Sequence, residues 1–296
     1  MAAFAPGGRR VFSGGVDGTV RVWDRPTERD RVLTRHDAQV TGLTVSPDGR
    51  RVASTGMEGL IKVTDVEGDA KPLVLRGHEG PAWTAAFSPD GRWLASAGKD
   101  GALRVWDLTG AVPPLTRWAD TNQIRHAAFS PDGRHVATGG QDGTVRIWDA
   151  HRDLPPLVLR GHRGLVWAVA YSPDGRRLAS AGTDGTVRIW ATTGRGEPQV
   201  LRGHQSMVWA VAFSADGRWV AGTGNDGTAR IWRTDVSAPP ITVGGFAAPV
   251  ESVQFSGDDE LLLTAHGDGT ARLWRCTACE PIGDLLVRAD RRLARE

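Results

Sequence analysis

Serine, histidine and aspartate recur along this 296-residue chain at offsets that would suit hydrolytic chemistry. His78, Ser96 and Asp100 make one set, and His162, Ser180 and Asp184 repeat it at the same offsets, each followed by a tryptophan, Trp106 or Trp190. In a Ser–His–Asp triad the imidazole serves as base for the hydroxyl and the carboxylate holds the imidazole tautomer. An enzyme needs that constellation once, so its repetition favours a structural role. A buried indole N–H requires an acceptor, and a satisfied polar chain pins neighbouring strands together. No catalytic residue is therefore assigned. Cys276-Thr-Ala-Cys279 has the spacing of a metal or redox pair, but no second pair completes a tetrahedral zinc site and no βαβ context surrounds it, so a free thiol pair is expected. Gly-rich phosphate loops, H-E-x-x-H and paired-carboxylate motifs do not rise above the repeat background, and neither metal nor cofactor is expected.

The elements that must position these residues come from an internal repeat. Trp106, Trp148, Trp190, Trp232 and Trp274 follow one another at a constant spacing of 42 residues, Trp23 extends the series, and Thr64 occupies the remaining place, which gives seven units. Each unit starts with an apolar run such as 166–171 and meets a Ser-Pro-Asp-Gly turn, intact at 46–49, 88–91, 130–133 and 172–175. Proline there fixes φ and glycine supplies the positive φ that a hairpin demands. A second strand runs to Asp-Gly, a third carries the tryptophan, and a fourth often opens on proline, as at Pro72, Pro113-Pro114, Pro155-Pro156, Pro198 and Pro239-Pro240. Proline suits an outer edge strand and discourages pairing with other molecules. Four short strands per unit of this length predict an all-β, seven-bladed β-propeller of four-stranded antiparallel blades. The Ser–His–Asp–Trp set is broken by Glu58 and Thr64 in blade 2, Asp120 in blade 4, Gly222 in blade 6 and Phe246 in blade 7.

Residues at one repeat position form a ring, so columns of the repeat are candidate surfaces. Thr41, Trp83, Arg125, Trp167, Trp209 and Glu251 open the innermost strands, and Gln39, Pro81, Gln123, Leu165, Met207 and Pro249 precede them by two. In a propeller both columns fall at the mouth of the central channel. Aromatic residues, methionine and arginine are what binding hot spots are made of. Trp83, Arg125, Leu165, Trp167, Met207 and Trp209 are therefore the candidate binding residues, set against the plainer reading that the tryptophans pack the rim. Two basic columns stand out as well. Arg21, Lys62, Arg104, Arg146, Arg188, Arg230 and Arg272 are expected between blades with stems packed and heads solvated. Arg9, Arg50, Arg92, Arg134, Arg176 and Arg218 follow the first turn, where Asp48, Asp90, Asp132, Asp174 and Asp216 lie beside most of them.

Composition narrows the function classes. A formal net charge of +2, from 36 basic and 34 acidic residues, gives no field that would draw nucleic acid or an anionic membrane. Two cysteines exclude a disulfide scaffold, no apolar run reaches the ~20 residues of a membrane span, and the N-terminus lacks a signal-peptide pattern. A cytoplasmic location is expected.

Trp-Asp at Trp23-Asp24, Trp106-Asp107 and Trp148-Asp149, with Gly-His at Gly77-His78, Gly161-His162 and Gly203-His204, gives a chain that resembles the WD-repeat family over nearly its whole length. The resemblance implies that each Trp, Ser, His and Asp set makes a hydrogen-bonded chain, and that the function is non-catalytic binding of protein or peptide partners. Residues 1–280 are expected as one propeller whose first innermost strand is cut short. Residues 281–296 are expected as an amphipathic helix or, alternatively, as the outer strand of blade 7. The C-terminal end also resembles WD-repeat regions of large actinobacterial signalling proteins, where an upstream STAND-type ATPase, kinase or protease-like domain does the chemistry. Arginine far outnumbers lysine, which fits a high-GC genome. Two competing functions are a propeller enzyme with polar residues converging on its channel, and self-assembly through open blade edges.

Overall fold

The computed structural model describes residues 1–6, 10–24, 27, 29–68, 70–119, 123–256, 259–275, 280–281 and 287–288. Blade 1 is β1 (Ala2–Phe4), β2 (Arg10–Gly14), β3 (Thr19–Asp24) and β4 (Arg29–Arg35); blade 2 is β5 (Val40–Val45), β6 (Arg51–Gly56), β7 (Ile61–Asp65) and β8 (Leu73–Leu75). Blade 3 is β9 (Ala82–Phe87), β10 (Trp93–Gly98), β11 (Ala102–Asp107) and β12 (Leu115–Trp118); blade 4 is β13 (Ile124–Phe129), β14 (His135–Gly140), β15 (Thr144–Asp149) and β16 (Leu157–Arg160). Blade 5 is β17 (Val166–Tyr171), β18 (Arg177–Gly182), β19 (Val187–Ala191) and β20 (Gln199–Leu201); blade 6 is β21 (Val208–Phe213), β22 (Trp219–Gly224), β23 (Thr228–Arg233) and β24 (Ile241–Gly244). Blade 7 is β25 (Val250–Phe255), β26 (Leu261–His266), β27 (Thr270–Arg275) and β28 (Glu280–Pro281), with β29 (Val287–Arg288) also paired to β27. Every blade is an antiparallel meander in chain order, and no helix occurs among the described residues. The fold is an all-β seven-bladed propeller.

The chain divides into two compact units, residues 1–142 with 146–158 and residues 143–145 with 159–296. The first holds blades 1 to 3 and most of blade 4, and the second holds blades 5 to 7. Within the first, Ala53, Ile61 and Val63 of blade 2 pack on Phe87, Leu94 and Trp106 of blade 3, and Leu103 and Val105 pack on Ile124, Val136 and Trp148 of blade 4. Within the second, Val187 and Ile189 pack on Val208, Val220 and Trp232. Each blade contributes short aliphatic residues from its middle strands, and every blade except blade 2, where Thr64 takes its place, contributes one indole. The faces of adjacent blades thereby close on a dry interface, the main stabilising term for sheets packed face to face.

Turn chemistry sets the period. At 130–133 and 172–175 the serine hydroxyl donates to the aspartate at 2.6 Å, while Gly133 and Gly175 take φ of 70° and 69°, which only glycine adopts without cost. The aspartate then accepts from the backbone N–H two residues on, that of Arg134 or Arg176, at 3.0 Å. Hydrogen bonds from serine and the backbone hold the Asp132 and Asp174 carboxyls below the usual range.

Of the C-terminal stretch expected as a helix or outer strand, the described pieces are strand: β28 and β29 both run antiparallel to β27. Residues 282–286 and 289–296 lie outside the described residues, as do Cys276, Cys279, Arg9 and Asp120. At the other end, β1 is a three-residue strand paired with β2.

Candidate functional site

The column of candidate binding residues coincides with a backbone irregularity repeated from blade 2 to blade 7. The innermost strand pairs normally with the second strand until its first residues, where the register shifts: Val40 faces Gly56 and Gly42 faces Thr55, so Thr41 is left over. The same β-bulge leaves over Trp83, Arg125, Trp167, Trp209 and Glu251. A bulge inserts one unpaired residue, bends the strand and re-aims a side chain, which is why bulges gather at functional surfaces. The re-aimed side chains reach neighbouring blades. Thr41 Oγ1 donates to the Ala82 carbonyl in blade 3, the Arg125 guanidinium lies 4.3 Å from the Trp83 ring centroid, and Trp167 stacks on Trp209 at 5.4 Å and 11°.

The preceding column is anchored through its main chain. The carbonyls of Gln39, Pro81, Gln123, Leu165, Met207 and Pro249 accept from the backbone N–H of Met57, Lys99, Gln141, Thr183, Asn225 and Gly267 at 2.9–3.1 Å. These donors sit just before the Glu-Gly or Asp-Gly turn, and most are exposed. They form a third column beside the first two that sequence reasoning missed. Its signal was available, since this position varies in every repeat while the turn beside it stays nearly constant.

The candidate residues fall into two groups, one per unit. In the first unit Trp83 and Arg125 are half-buried and stacked, and burial pulls the Arg125 pKa down from its ordinary value. In the second unit Leu165, Trp167, Met207 and Trp209 are all half-buried, with the stacked indole pair among them. The indole N–H groups of Trp83 and Trp209 are buried and meet no acceptor among the described residues.

The Ser, His and Asp sets are hydrogen-bonded in the order of a nucleophilic triad, but each serine is sealed from solvent and takes a hydrogen bond from a tryptophan. In blade 3, Trp106 Nε1 donates to Ser96 Oγ at 2.8 Å, Ser96 Oγ lies 2.9 Å from His78 Nε2, and His78 Nδ1 lies 3.0 Å from Asp100. In blade 5 the distances are 2.8, 2.7 and 3.0 Å through Trp190, Ser180, His162 and Asp184. Ser96 and Ser180 have no exposed surface, so neither hydroxyl can reach a substrate. Burial raises the Asp100 and Asp184 pKa values, but hydrogen bonds from histidine, Arg104 or Thr186 and the backbone outweigh it and hold both carboxyls well below the usual range.

Blades that depart from the set solve the same problem differently. Trp148 donates to Thr138 at 2.9 Å. With Gly222 offering no hydroxyl, Trp232 donates to the Arg202 carbonyl at 3.2 Å. In blade 7 Trp274 donates to Thr264 at 3.1 Å, and Thr264 pairs with His266 at 2.9 Å, which stands in for the histidine that Phe246 displaces. His266 takes a position that is glycine in blades 2 to 6, a substitution visible in the sequence but not interpreted there.

The strand arginines correct an expectation. Arg104 and Arg146 are not solvated between blades; both are only 5% exposed and bind the turn carboxylates of their own blades, Asp100 at 2.7 Å and Asp142 at 2.9 Å. A five-donor guanidinium is buried at tolerable cost only when paired in this way. No group of three or more potential metal ligands assembles among the described residues, and no helix there is long and apolar enough to cross a membrane.

Strand meanders that repeat with a tryptophan-centred polar chain, and that turn a variable bulge residue outward at each innermost strand, define a repeat-built propeller. The family model for the WD domain, G-beta repeat, matches residues 1–24, 28–65, 71–107, 114–149, 155–191, 196–233 and 239–275, and the chain belongs to this family. No curated protein matches it. Among solved structures, a chain of "Crystal Structure of Mitotic Checkpoint Complex" is 25% identical and superposes with a TM-score of 0.81, over 90% of this chain and 87% of that one.

Proposed function

We propose that this chain is a non-catalytic platform for protein or peptide partners, with its binding energy concentrated in the bulge residues and those beside them: Trp83 and Arg125 in one unit, and Leu165, Trp167, Met207 and Trp209 in the other. The observation that carries this reading is the repeated β-bulge, which gives a variable residue of each repeat, tryptophan in three of them, a fixed main-chain setting. Half-buried aromatics held rigidly lose little conformational entropy on binding. The similar solved chain belongs to a multi-protein complex, which supports the same reading.

A triple variant, Trp83→Ala with Trp167→Ala and Trp209→Ala, tests it by affinity capture followed by mass spectrometry. Hot-spot truncations cost about 2 kcal/mol or more each, so a folded triple variant loses the partners that the native chain retains. Undiminished capture by a variant with native circular dichroism would refute the assignment. The finer reading places the platform in a bacterial signalling protein, associated with an ATPase, kinase or protease-like module. It rests on the arginine-rich composition and the resemblance noted above, and reading the DNA upstream of the Met1 codon tests it.

A further inference from the structure

A groove on the flank of the first unit differs in chemistry from the bulge residues. Its volume is about 360 Å³, and it is lined by β8 with Arg76, by Trp106 to Gly110 at the end of β11, and by Val112 and Pro114. β8 is the last strand of its sheet, so one of its edges is unpaired. Leu75 packs against the cluster containing Trp106, with Leu108 beside it, and Leu73 shares the Leu75 face because side chains alternate along a strand. Leu73, Val74 and Val112 are 45, 37 and 47% exposed. Exposed aliphatics beside an unpaired strand edge are a liability unless something selects their partner.

Charge supplies that selection. Lys71 and Arg76 bracket β8, both exposed and neither in an ion pair among the described residues. The carboxylate in the groove, Asp107, is already bound by Arg92 at 3.2 Å. A second copy of β8, added antiparallel, would bring its own Lys71 and Arg76 against these cations and be repelled. We infer that the β8 edge accepts an extended partner segment by strand addition, with apolar side chains at alternate positions lying beside Leu73 and Leu75 over Trp106, and acidic residues at both ends against Lys71 and Arg76. Main-chain hydrogen bonds would give such a segment its affinity and the groove and its cations the specificity. This surface is separate from the bulge residues, and either reading can fail alone.

The probe is a fluorescein-labelled, end-blocked peptide, Glu-Asp-Val-Thr-Val-Thr-Val-Asp-Glu, titrated against the whole chain by fluorescence anisotropy. The expected result is saturable binding that weakens with salt, that falls at least about tenfold in the Lys71→Glu/Arg76→Glu variant, and that survives the triple tryptophan substitution. A peptide with lysine in place of its acidic residues should show the reverse preference, favouring the charge-reversed variant. Methylating alternate peptide nitrogens of the probe should abolish binding in one of the two alternating patterns and spare it in the other. Equal affinity for native and charge-reversed protein, no binding up to about 1 mM, or tolerance of both methylation patterns would overturn the inference. So would a dimer of the chain alone, seen by light scattering, that Leu73→Ser/Val74→Ser dissociates, because the occupant would then be a second copy.

Discussion

Trp190 and Thr64 stand at the same place in their repeats, yet their polar atoms are treated oppositely. The Trp190 N–H ends a complete chain through Ser180 and His162, whereas the Thr64 hydroxyl is buried with no partner among the described residues. Trp190→Ala should therefore destabilise by roughly 3–5 kcal/mol, the cost of deleting a large buried aromatic. Thr64→Val should be neutral or slightly stabilising, because it removes an unsatisfied hydroxyl at nearly constant shape. Denaturant midpoints of the two variants check this, and equal midpoints would contradict it. The difference was legible in the sequence, and so was its companion. Gly161 lies so close to Trp190 that a Cβ there would sit 3.0 Å from the indole tip, and blade 2, which has no indole, carries Arg35 at that position. His126 was not legible. Burial lowers its pKa to about 4, while an unfolded histidine titrates near ~6.5. The unfolded chain thus binds the extra proton first as pH falls, and stability is full above that value and lost progressively down to about 4. His126→Gln should flatten the fall in melting temperature across that window.

At the scale of the element, the bulge is the feature the sequence concealed. Hydrophobic alternation assigns a strand and its buried face, but which residue the ladder omits is a property of pairing, and no local pattern records it. The columns were found because the repeat aligned them, and their geometry came from the register. The turn between β25 and β26 shows the same limit. Asp259 stands where the other blades place glycine, and it adopts φ of 59°. Its carboxylate accepts from the backbone N–H groups of Ala215 and Asp216 in blade 6 at 2.6 and 2.7 Å. The strained conformation thereby aims a charged cap at a neighbouring turn. Asp259→Ala should lose both the cap and tolerance of positive φ, at about 2 kcal/mol. Asp259→Gly should lose the cap alone and cost less, about 1 kcal/mol. Chemical denaturation in parallel checks the order, and a glycine variant less stable than the alanine variant would reject the account.

At the scale of the whole molecule, blade number and strand order followed from the tryptophan spacing and the turn signals, because each repeat imposes the same local solution. Polar completion did not follow so uniformly. Blades 4, 6 and 7 satisfy their indoles through Thr138, the Arg202 carbonyl and Thr264, so several sequences reach one end state. The triple tryptophan variant tests the proposed function and the charge-reversed β8 variant tests the strand-addition edge, two separate surfaces of one fold.

The carbonyl anchors at Gln39, Pro81, Gln123, Leu165, Met207 and Pro249 carry a consequence for variation. A residue held by its peptide group places almost no demand on its side chain, so glutamine, proline, leucine and methionine serve equally as spellings of one backbone position. These sites are separated from the interior's constraints, much as the letters on a dial are independent of its bearing. Drift or selection can rewrite them without loosening the sheets beneath. A lineage of such chains could therefore exchange one partner for another through substitutions confined to these positions, each step leaving a folded protein behind it.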